Sequence, residues 1–166
     1  MLYELKGICH QCAAEYKTIL SGNETHGVCN ECGTTPVKFK KFKGMVYIIN
    51  NPYQTGVKVG LTEKGLEQRI KQLQTSGVPG NFATVAVFPS DNPKKDEKKA
   101  HDKLMHCNLE KEHFDIEPEQ AVMAVHRALG YRTPIFFDKK MEQIFLEKKE
   151  EASQKMAKQL SGRKKQ

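Results

Sequence analysis

The sequence predicts an α/β fold of the α+β type: a small, mainly antiparallel sheet flanked by helices and preceded by a cysteine-rich module. Three observations predict it: two β-rich runs around a turn in residues 46–60, amphipathic helical patterns after them, and two paired cysteine motifs near the N-terminus. The 166 residues suffice for one domain of about 100 residues and a small accessory module. We therefore divide the chain into residues 1–43, 44–137 and 138–166.

The first element is built around four cysteines in two C-x-x-C pairs. Sixteen residues separate the pair Cys9 and Cys12 from the pair Cys29 and Cys32, a spacing typical of a zinc site with four thiolate ligands. Four thiolates leave no open position for water, so this zinc would be structural. The N-terminal segment is therefore predicted to be a zinc ribbon.

A hairpin is predicted between the two pairs, because residues 16–20 and 24–28 flank the turn formers of residues 21–23. A segment of about 35 residues cannot build an adequate core alone, so the metal would fold it. Two alternatives stay open. His10 or His26 could compete as a ligand, and the first pair could be a redox motif, although the βαβ context of such a motif is missing.

Positive charge is concentrated at the ends of the chain, whose formal net charge is +7. Basic residues outnumber acidic ones by two in residues 1–45, equal them in 46–138 and exceed them by five in 139–166. Basic ends predict arms that hold a polyanion such as DNA, the alternative being a solvated surface. No apolar run approaches the roughly 20 residues that span a bilayer, and no signal peptide is evident. We expect a soluble, cytoplasmic protein without a membrane partner.

Residues 37–43 interleave lysines with two phenylalanines. Lysines can meet phosphates while an aromatic ring stacks on bases, as in proteins that bind single strands. The alternative is an amphipathic edge strand or a linker. The candidate nucleic-acid contacts are Lys38, Lys40, Lys41 and Lys43.

The next element is a β-hairpin, because residues 45–50 and 57–62 are β-rich and flank a run of turn formers. If the last residue of the first run pairs with the first residue of the second, Tyr47 lies opposite Gly60 and shares a face with Lys58. A glycine opposite the tyrosine predicts room for a ligand to approach the sheet.

A helix is predicted over about residues 63–75, since Leu66, Ile70 and Leu73 recur at helical spacing. Arg69 flanks this apolar stripe. Its guanidinium could lean over the sheet and grip a phosphate, or it could be a surface arginine whose stem packs on the stripe.

Residues 81–88 then predict a strand, and Asn92-Pro93 predicts the capped start of a second helix. Glu97 and His101 fall on the apolar side of this helix. The other polar positions are assigned to its exposed faces: Lys94, Lys95, Asp96, Lys98, Lys99, Asp102 and Lys103. An inward Glu97 is costly unless it meets a cation or a hydrogen-bonding partner.

That partner is either a basic side chain, Arg69 or Lys58, or a divalent metal. Glu97 and His101 could also form a surface pair one helical turn apart.

Farther along, Cys107 is expected to be a buried, inert thiol. Residues 112–116 predict a short strand, and Glu117-Pro118 opens a third helix.

The packing face of the third helix is predicted to consist of Ala121, Val122, Val125 and Leu129. A last helix begins near Asp138 and ends in a basic tail.

The central segment resembles the GIY-YIG nuclease superfamily, especially the branch named for a phage open-reading-frame DNA-binding domain. Six short matches occur in the order of that superfamily: Val46-Tyr47-Ile48 and Lys58-Val59-Gly60 as its two signature strands, Arg69 as its first-helix arginine, Glu97 as its metal-binding glutamate, His101 as a histidine one turn later, and Glu112-x-Phe114 as its closing strand.

The resemblance implies metal-assisted hydrolysis of DNA. Glu97 would hold one Mg²⁺ or Mn²⁺, while Lys58 and Arg69 would neutralise charge on the reacting phosphate. Tyr47 would orient or deprotonate the attacking water, and His101 would assist a proton transfer or contact phosphate. As a base, Tyr47 would need Lys58 to lower its pKa.

We expect a metal-dependent DNA endonuclease targeted by the zinc ribbon and the basic ends, acting in a bacterial host cytoplasm if the chain is phage-encoded. One alternative is a non-catalytic DNA-binding or regulatory protein of the same fold. Another is a zinc-ribbon module that binds protein partners. The joint presence of Tyr47, Arg69 and Glu97 favours the nuclease.

Overall fold

The computed structural model describes residues 2–22, 24–37 and 40–163, with side chains described as far as residue 156. Contacts divide the chain into two compact units, Met1–Lys41 and Phe42–Gln166. The roles assigned to the segments 1–43, 44–137 and 138–166 stay a prediction.

The first unit contains a three-stranded antiparallel sheet in the order β1-β2-β3. Its strands are β1 (Leu2–Ile8), β2 (Glu15–Ser21) and β3 (Glu24–His26). The hairpin predicted between the cysteine pairs is confirmed as β2 and β3, and Gly22 supplies the positive φ of +62° that its turn requires. Strand β1 was not predicted, because its sequence carries no turn signal that sets it apart.

The second unit is built on a six-stranded sheet in which every pairing is antiparallel. Its strands are β4 (Gly44–Asn50), β5 (Val57–Thr62), β6 (Ala83–Ser90), β7 (Asn108–Glu110), β8 (His113–Phe114) and β9 (Ile135–Phe136), in the order β7-β8-β5-β4-β6-β9. The predicted α+β class is confirmed.

The helices of this unit are α1 (Leu66–Leu73), α2 (Pro93–Leu104), α3 (Pro118–Ala128) and α4 (Lys139–Arg163). Helix α2 begins as predicted: the side chain of Asn92 accepts a hydrogen bond from the Lys95 amide at 3.3 Å, and Pro93 occupies the first position. Within the described ranges, no helix is long and apolar enough to cross a membrane.

The helices cover the two faces of the sheet. Helix α1 packs against Tyr47, Ile49 and Val87 on one face. Helices α2 and α3 and the start of α4 cover the other face, which contains Val46 and Ile48. The alternation predicted for the first hairpin strand is therefore correct, and side chains on opposite faces can approach one another only at a sheet edge.

One assignment on α2 is wrong: Asp96 does not lie on an exposed face. It is 4% exposed. Its carboxylate accepts hydrogen bonds from the Ser90 hydroxyl at 2.6 Å and from the Arg132 guanidinium at 2.5 Å. Arg132 also donates to the Pro89 carbonyl at 3.1 Å. This network ties the start of α2 to the end of β6, so Asp96 is buried with its charge compensated.

Replacing Asp96 with alanine is expected to lower the free energy of unfolding by about 2–3 kcal/mol near neutral pH, because two donors lose a charged acceptor. Burial alone would raise the pKa of Asp96, but the bonds from Ser90 and Arg132 outweigh it and hold the pKa below its ordinary value. The stabilisation is therefore complete above about pH 4–5 and is lost as the pH falls through the folded-state pKa.

Urea unfolding of the wild type and Asp96→Ala at pH 7 and pH 3 measures this effect, with the exposed Asp102→Ala as the control on the same helix. The difference between wild type and Asp96→Ala should shrink at pH 3. Equal stability of the two proteins at pH 7 would contradict the network's role.

Candidate functional site

In the first unit, the four predicted zinc ligands lie together. Their Sγ atoms are all within 4.8 Å of one another. Each pair sits in a tight turn: the Cys9 carbonyl accepts from the Ala13 amide at 2.9 Å, and the Cys29 carbonyl accepts from the Gly33 amide at 2.8 Å. Gly33 has φ +70°, the left-handed conformation that such a turn needs.

The spacing of these sulfurs fits zinc. The Sγ atoms of Cys9 and Cys32 are 3.7 Å apart, and those of Cys12 and Cys29 are 3.6 Å apart. Tetrahedral zinc with Zn–S bonds of about 2.3 Å separates its sulfurs by about 3.8 Å. Across the described residues, no other group of three or more histidine, cysteine or acidic side chains is similarly clustered. The four thiols can therefore hold one zinc ion, without His10 or His26.

In the second unit, the predicted register of the hairpin is confirmed: Tyr47 lies opposite Gly60, and Lys58 lies opposite Ile49 on the same face. The predicted room for a ligand above Gly60 is wrong. A Cβ atom added at Gly60 would come within 2.5 Å of the Tyr47 hydroxyl and 2.7 Å of its ring. The tyrosine ring itself fills the space that the glycine leaves.

Replacing Gly60 with alanine is therefore expected to displace the Tyr47 ring and to lower the free energy of unfolding by about 1–3 kcal/mol. The control is Gly77→Ala, since a Cβ there meets nothing within 4 Å. Thermal unfolding of both variants measures the difference. A Gly60→Ala protein as stable as the Gly77→Ala protein would contradict this packing.

Arg69 contacts Tyr47 of the sheet, a contact that was not predicted from the sequence; that it grips a phosphate stays a prediction. Its Nε donates a hydrogen bond to the Tyr47 hydroxyl at 3.2 Å. Arg69 as a whole is half-buried. The bond uses only Nε, so the two terminal NH₂ groups take no part in it. A guanidinium fixed through Nε can present those two groups to one anion.

The expected lowering of the Tyr47 pKa is wrong. Tyr47 is fully buried. Burial raises its pKa, and the charges of Glu112 and Glu97 raise it further, while the bond and charge of Arg69 only partly offset these effects. Arg69, rather than Lys58, is the main cation that lowers this pKa. The phenol therefore stays protonated at neutral pH.

Lys58 is held by Glu112 instead. The two side chains form an ion pair, and the Lys58 side chain is only 10% exposed. Glu112 is fixed in turn, because its carbonyl accepts from the Val59 amide at 2.9 Å, beside the pairing of β8 with β5. Sequence reasoning quoted Glu112 only as part of a strand. No local pattern links it to Lys58, which lies 54 positions earlier in the chain.

Glu97 lies on α2, across the sheet from α1, yet it interacts with the same cluster. Burial raises its pKa above the ordinary value, and the charge of Glu112 adds to this. The charges of His101 and Lys58 and the amide of Leu61 act in the opposite direction. Because Leu61 lies in β5 beyond its pairing with β8, Glu97 reaches the cluster at the open edge of that strand.

His101 is bound at the same edge. Its Nε2 lies 2.8 Å from the Val59 carbonyl, which can only accept, so Nε2 carries the proton. Its ring packs against Phe114 with centroids 5.2 Å apart. This leaves Nδ1 as the ring atom available for the predicted proton transfer or phosphate contact.

We define the β5 edge cluster as Tyr47, Lys58, Arg69, Glu97, His101 and Glu112. Its members come from β4, β5, α1, α2 and the β7–β8 turn, so the fold joins all five residues predicted for the central site and adds Glu112. It combines two carboxylates, two cations, a protonated phenol and an imidazole, which suits a phosphate group and one divalent cation.

The structure describes three of the four basic contacts predicted before the hairpin. Lys40, Lys41 and Lys43 are exposed and belong to no strand, so the interpretation of this segment as an edge strand is wrong for them. Lys38 lies outside the described residues.

The second unit is thus an antiparallel α+β domain with a polar cluster at the edge of β5. The sequence model of the T5orf172 domain matches residues 44–129, slightly more than half of the 166 residues. The chain belongs to the T5orf172 domain family, a phage-associated DNA-binding or nuclease-like family. Comparison with curated proteins and with solved structures found no match.

Proposed function

We propose that this protein is a metal-dependent DNA endonuclease of the GIY-YIG type, in which the β5 edge cluster hydrolyses a phosphodiester bond. The observation that carries the proposal is the convergence of Lys58, Arg69 and Glu97 from three separate elements on one open strand edge. A partly buried carboxylate with a raised pKa beside two cations is typical of catalytic sites. Membership of a DNA-binding or nuclease-like family supports DNA as the substrate.

In this proposal Glu97 would hold a Mg²⁺ or Mn²⁺ ion, and the ion would supply Lewis-acid activation of a phosphate oxygen and of water. One carboxylate suffices for such an ion, because Mg²⁺ keeps several of its waters and takes the substrate phosphate as a further ligand. The zinc of the ribbon would be structural in this proposal, because four thiolates leave no open position for water or substrate.

Arg69 binds the phosphate and stabilises the charge that develops on it. Tyr47 acts as a positioning residue: its hydroxyl fixes Arg69 through Nε, so that the two NH₂ groups point outward as a pair. This differs from a role as general base, because a protonated phenol cannot accept a proton. The chain's own proton acceptors at the edge are the carboxylate of Glu112 and the Nδ1 atom of His101.

Lys58 supplies a second positive charge. Its ammonium has three donors, and the pair with Glu112 uses only part of them. The remaining donors can contact a phosphate oxygen while Glu112 keeps the charge of the buried lysine compensated.

The test is cleavage of an end-labelled duplex by the zinc-loaded full chain with Mg²⁺, with Mn²⁺ or with a chelator that removes both. We expect cleavage with at least one of the two metals, and none with the chelator. DNA binding without cleavage under all these conditions would overturn the nuclease proposal.

That outcome would favour the second candidate, a DNA-binding protein without catalysis. Two observations support this candidate: Tyr47 has no exposed surface, and the ammonium of Lys58 already has a carboxylate partner. Both features are compatible with a cluster that grips a phosphate without breaking its ester bond. The cleavage assay, run beside a gel-shift assay of the same protein, separates the two candidates.

A further inference from the structure

We propose that Lys94 and Lys98 of α2 bind the DNA backbone beside the β5 edge cluster and hold the strand in place for cleavage. The inference rests on the proposed function, and adds a contact surface to it. We call these two residues the site-side lysines.

Helix geometry places the site-side lysines next to the cluster. Successive residues of a helix are turned by about 100° around its axis. Seen along the axis, His101 lies about 40° from Glu97, and Lys94 and Lys98 lie about 60° and 100° from Glu97 in the same direction. Since Glu97 and His101 both interact with the β5 edge, that direction leads from the cluster to the exposed surface of α2. Lys95 is turned about 160° from Glu97, and therefore faces away.

The burial of α2 agrees with this placement. Ala100 and Leu104 are fully buried against the core and Asp96 is 4% exposed. All three are turned from Glu97 in the direction away from His101 and the site-side lysines. Lys94 and Lys98 are both exposed. They border Glu97 on its exposed side, where a bound strand must pass to bring a phosphate to the cluster.

Ion pairs among the described residues do not account for the two site-side lysines. Lys99 lies 3.7 Å from Asp96, whereas neither site-side lysine has a carboxylate within 4.0 Å in the part of the chain that the structure describes. Lys94 also lies in the first turn of the helix, where the helix dipole disfavours a positive charge. A bound phosphate would give both lysines a negatively charged partner, and would offset the unfavourable effect of the helix dipole at Lys94.

The spacing of the two lysines suits a backbone contact. They are one helical turn, about 6 Å, apart along the helix axis, so their ammonium groups can contact neighbouring phosphates of one strand. Lysine binds phosphate as a point charge on a flexible stem. The predicted contact is therefore independent of base sequence, and depends strongly on salt.

The test compares two double variants of the full, zinc-loaded chain: Lys94→Gln with Lys98→Gln, and the control Lys95→Gln with Lys99→Gln. Both remove the same charge from the same helix. The measurement is the affinity for one duplex at several salt concentrations. We expect the first pair to lower the slope of log affinity against log salt by about two, one unit for each lost phosphate contact, and the control pair to change it by much less.

Equal slopes for the two double variants would overturn the inference, and so would a larger change in the control pair. This failure is distinguishable from failure of the proposed function. If the two double variants show the expected difference in slope but the wild type does not cleave DNA with either metal, catalysis is refuted. The site-side lysines then stand as a DNA-binding surface.

Discussion

Replacing Glu97 with glutamine is expected to slow DNA cleavage by about 100- to 1,000-fold, a loss typical of removing one charged or polar group that stabilises a transition state. Glutamine keeps the shape of the side chain but loses the negative charge that would hold the metal. The fold should be little affected, because Glu97 is only partly buried. DNA affinity should change little, since the groups proposed to bind the backbone are lysines and an arginine.

The measurement is the single-turnover cleavage rate of each protein with saturating metal, beside its DNA affinity. Asp102→Asn is the matched control, because it removes an exposed carboxylate from the same helix. If both Glu97→Gln and Asp102→Asn cleave DNA at the wild-type rate, Glu97 is not the metal ligand. A rate that falls in both variants equally would indicate a general effect of charge on α2.

The second large effect is expected from Cys29→Ser, which should release the zinc and unfold the first unit. Zinc contributes on the order of 10 kcal/mol or more to the folding of small modules of this kind, far more than a sheet of three short strands can replace. The second unit has its own core, so its thermal transition should persist.

Zinc content and NMR spectra of the full chain measure this effect, with Cys107→Ser as the control. Cys107 lies outside the ribbon; its thiol donates to the Leu104 carbonyl at 3.1 Å, and burial raises its pKa. It is only half-buried, less than the buried thiol that was expected, and its inertness stays a prediction. Full zinc content in Cys29→Ser, with the dispersed signals of β1–β3 retained, would contradict the four-cysteine site.

The hairpin and the ribbon could be predicted from the sequence because local chemistry determines both. Turn formers between two β-rich runs fixed the pairing of Tyr47 with Gly60, and the C-x-x-C spacing fixed the cysteine set. The position of Arg69 beside the apolar stripe of α1 could be predicted from helical periodicity. Each of these inferences needs only residues that are close in sequence, or a pairing that a single turn determines.

The parts that failed depend on contacts between distant segments. Asp96 was assigned to an exposed face because its partner Arg132 lies 36 positions away, and no periodicity reports such a pair. Lys58 was expected to act on Tyr47, but the β7–β8 turn brings Glu112 to it instead. The space above Gly60 depended on which way the Tyr47 ring turned, and strand alternation gives a face but no rotamer.

The central claim is that Glu97 holds a divalent ion at the β5 edge when DNA is bound. Electron paramagnetic resonance of Mn²⁺ tests it directly, with zinc-loaded protein and a duplex whose phosphates resist hydrolysis. We expect the wild type to bind one Mn²⁺ per chain on this duplex, and Glu97→Gln to bind none at the same concentration. Equal Mn²⁺ binding by the two proteins, or none by the DNA-bound wild type, would contradict the account.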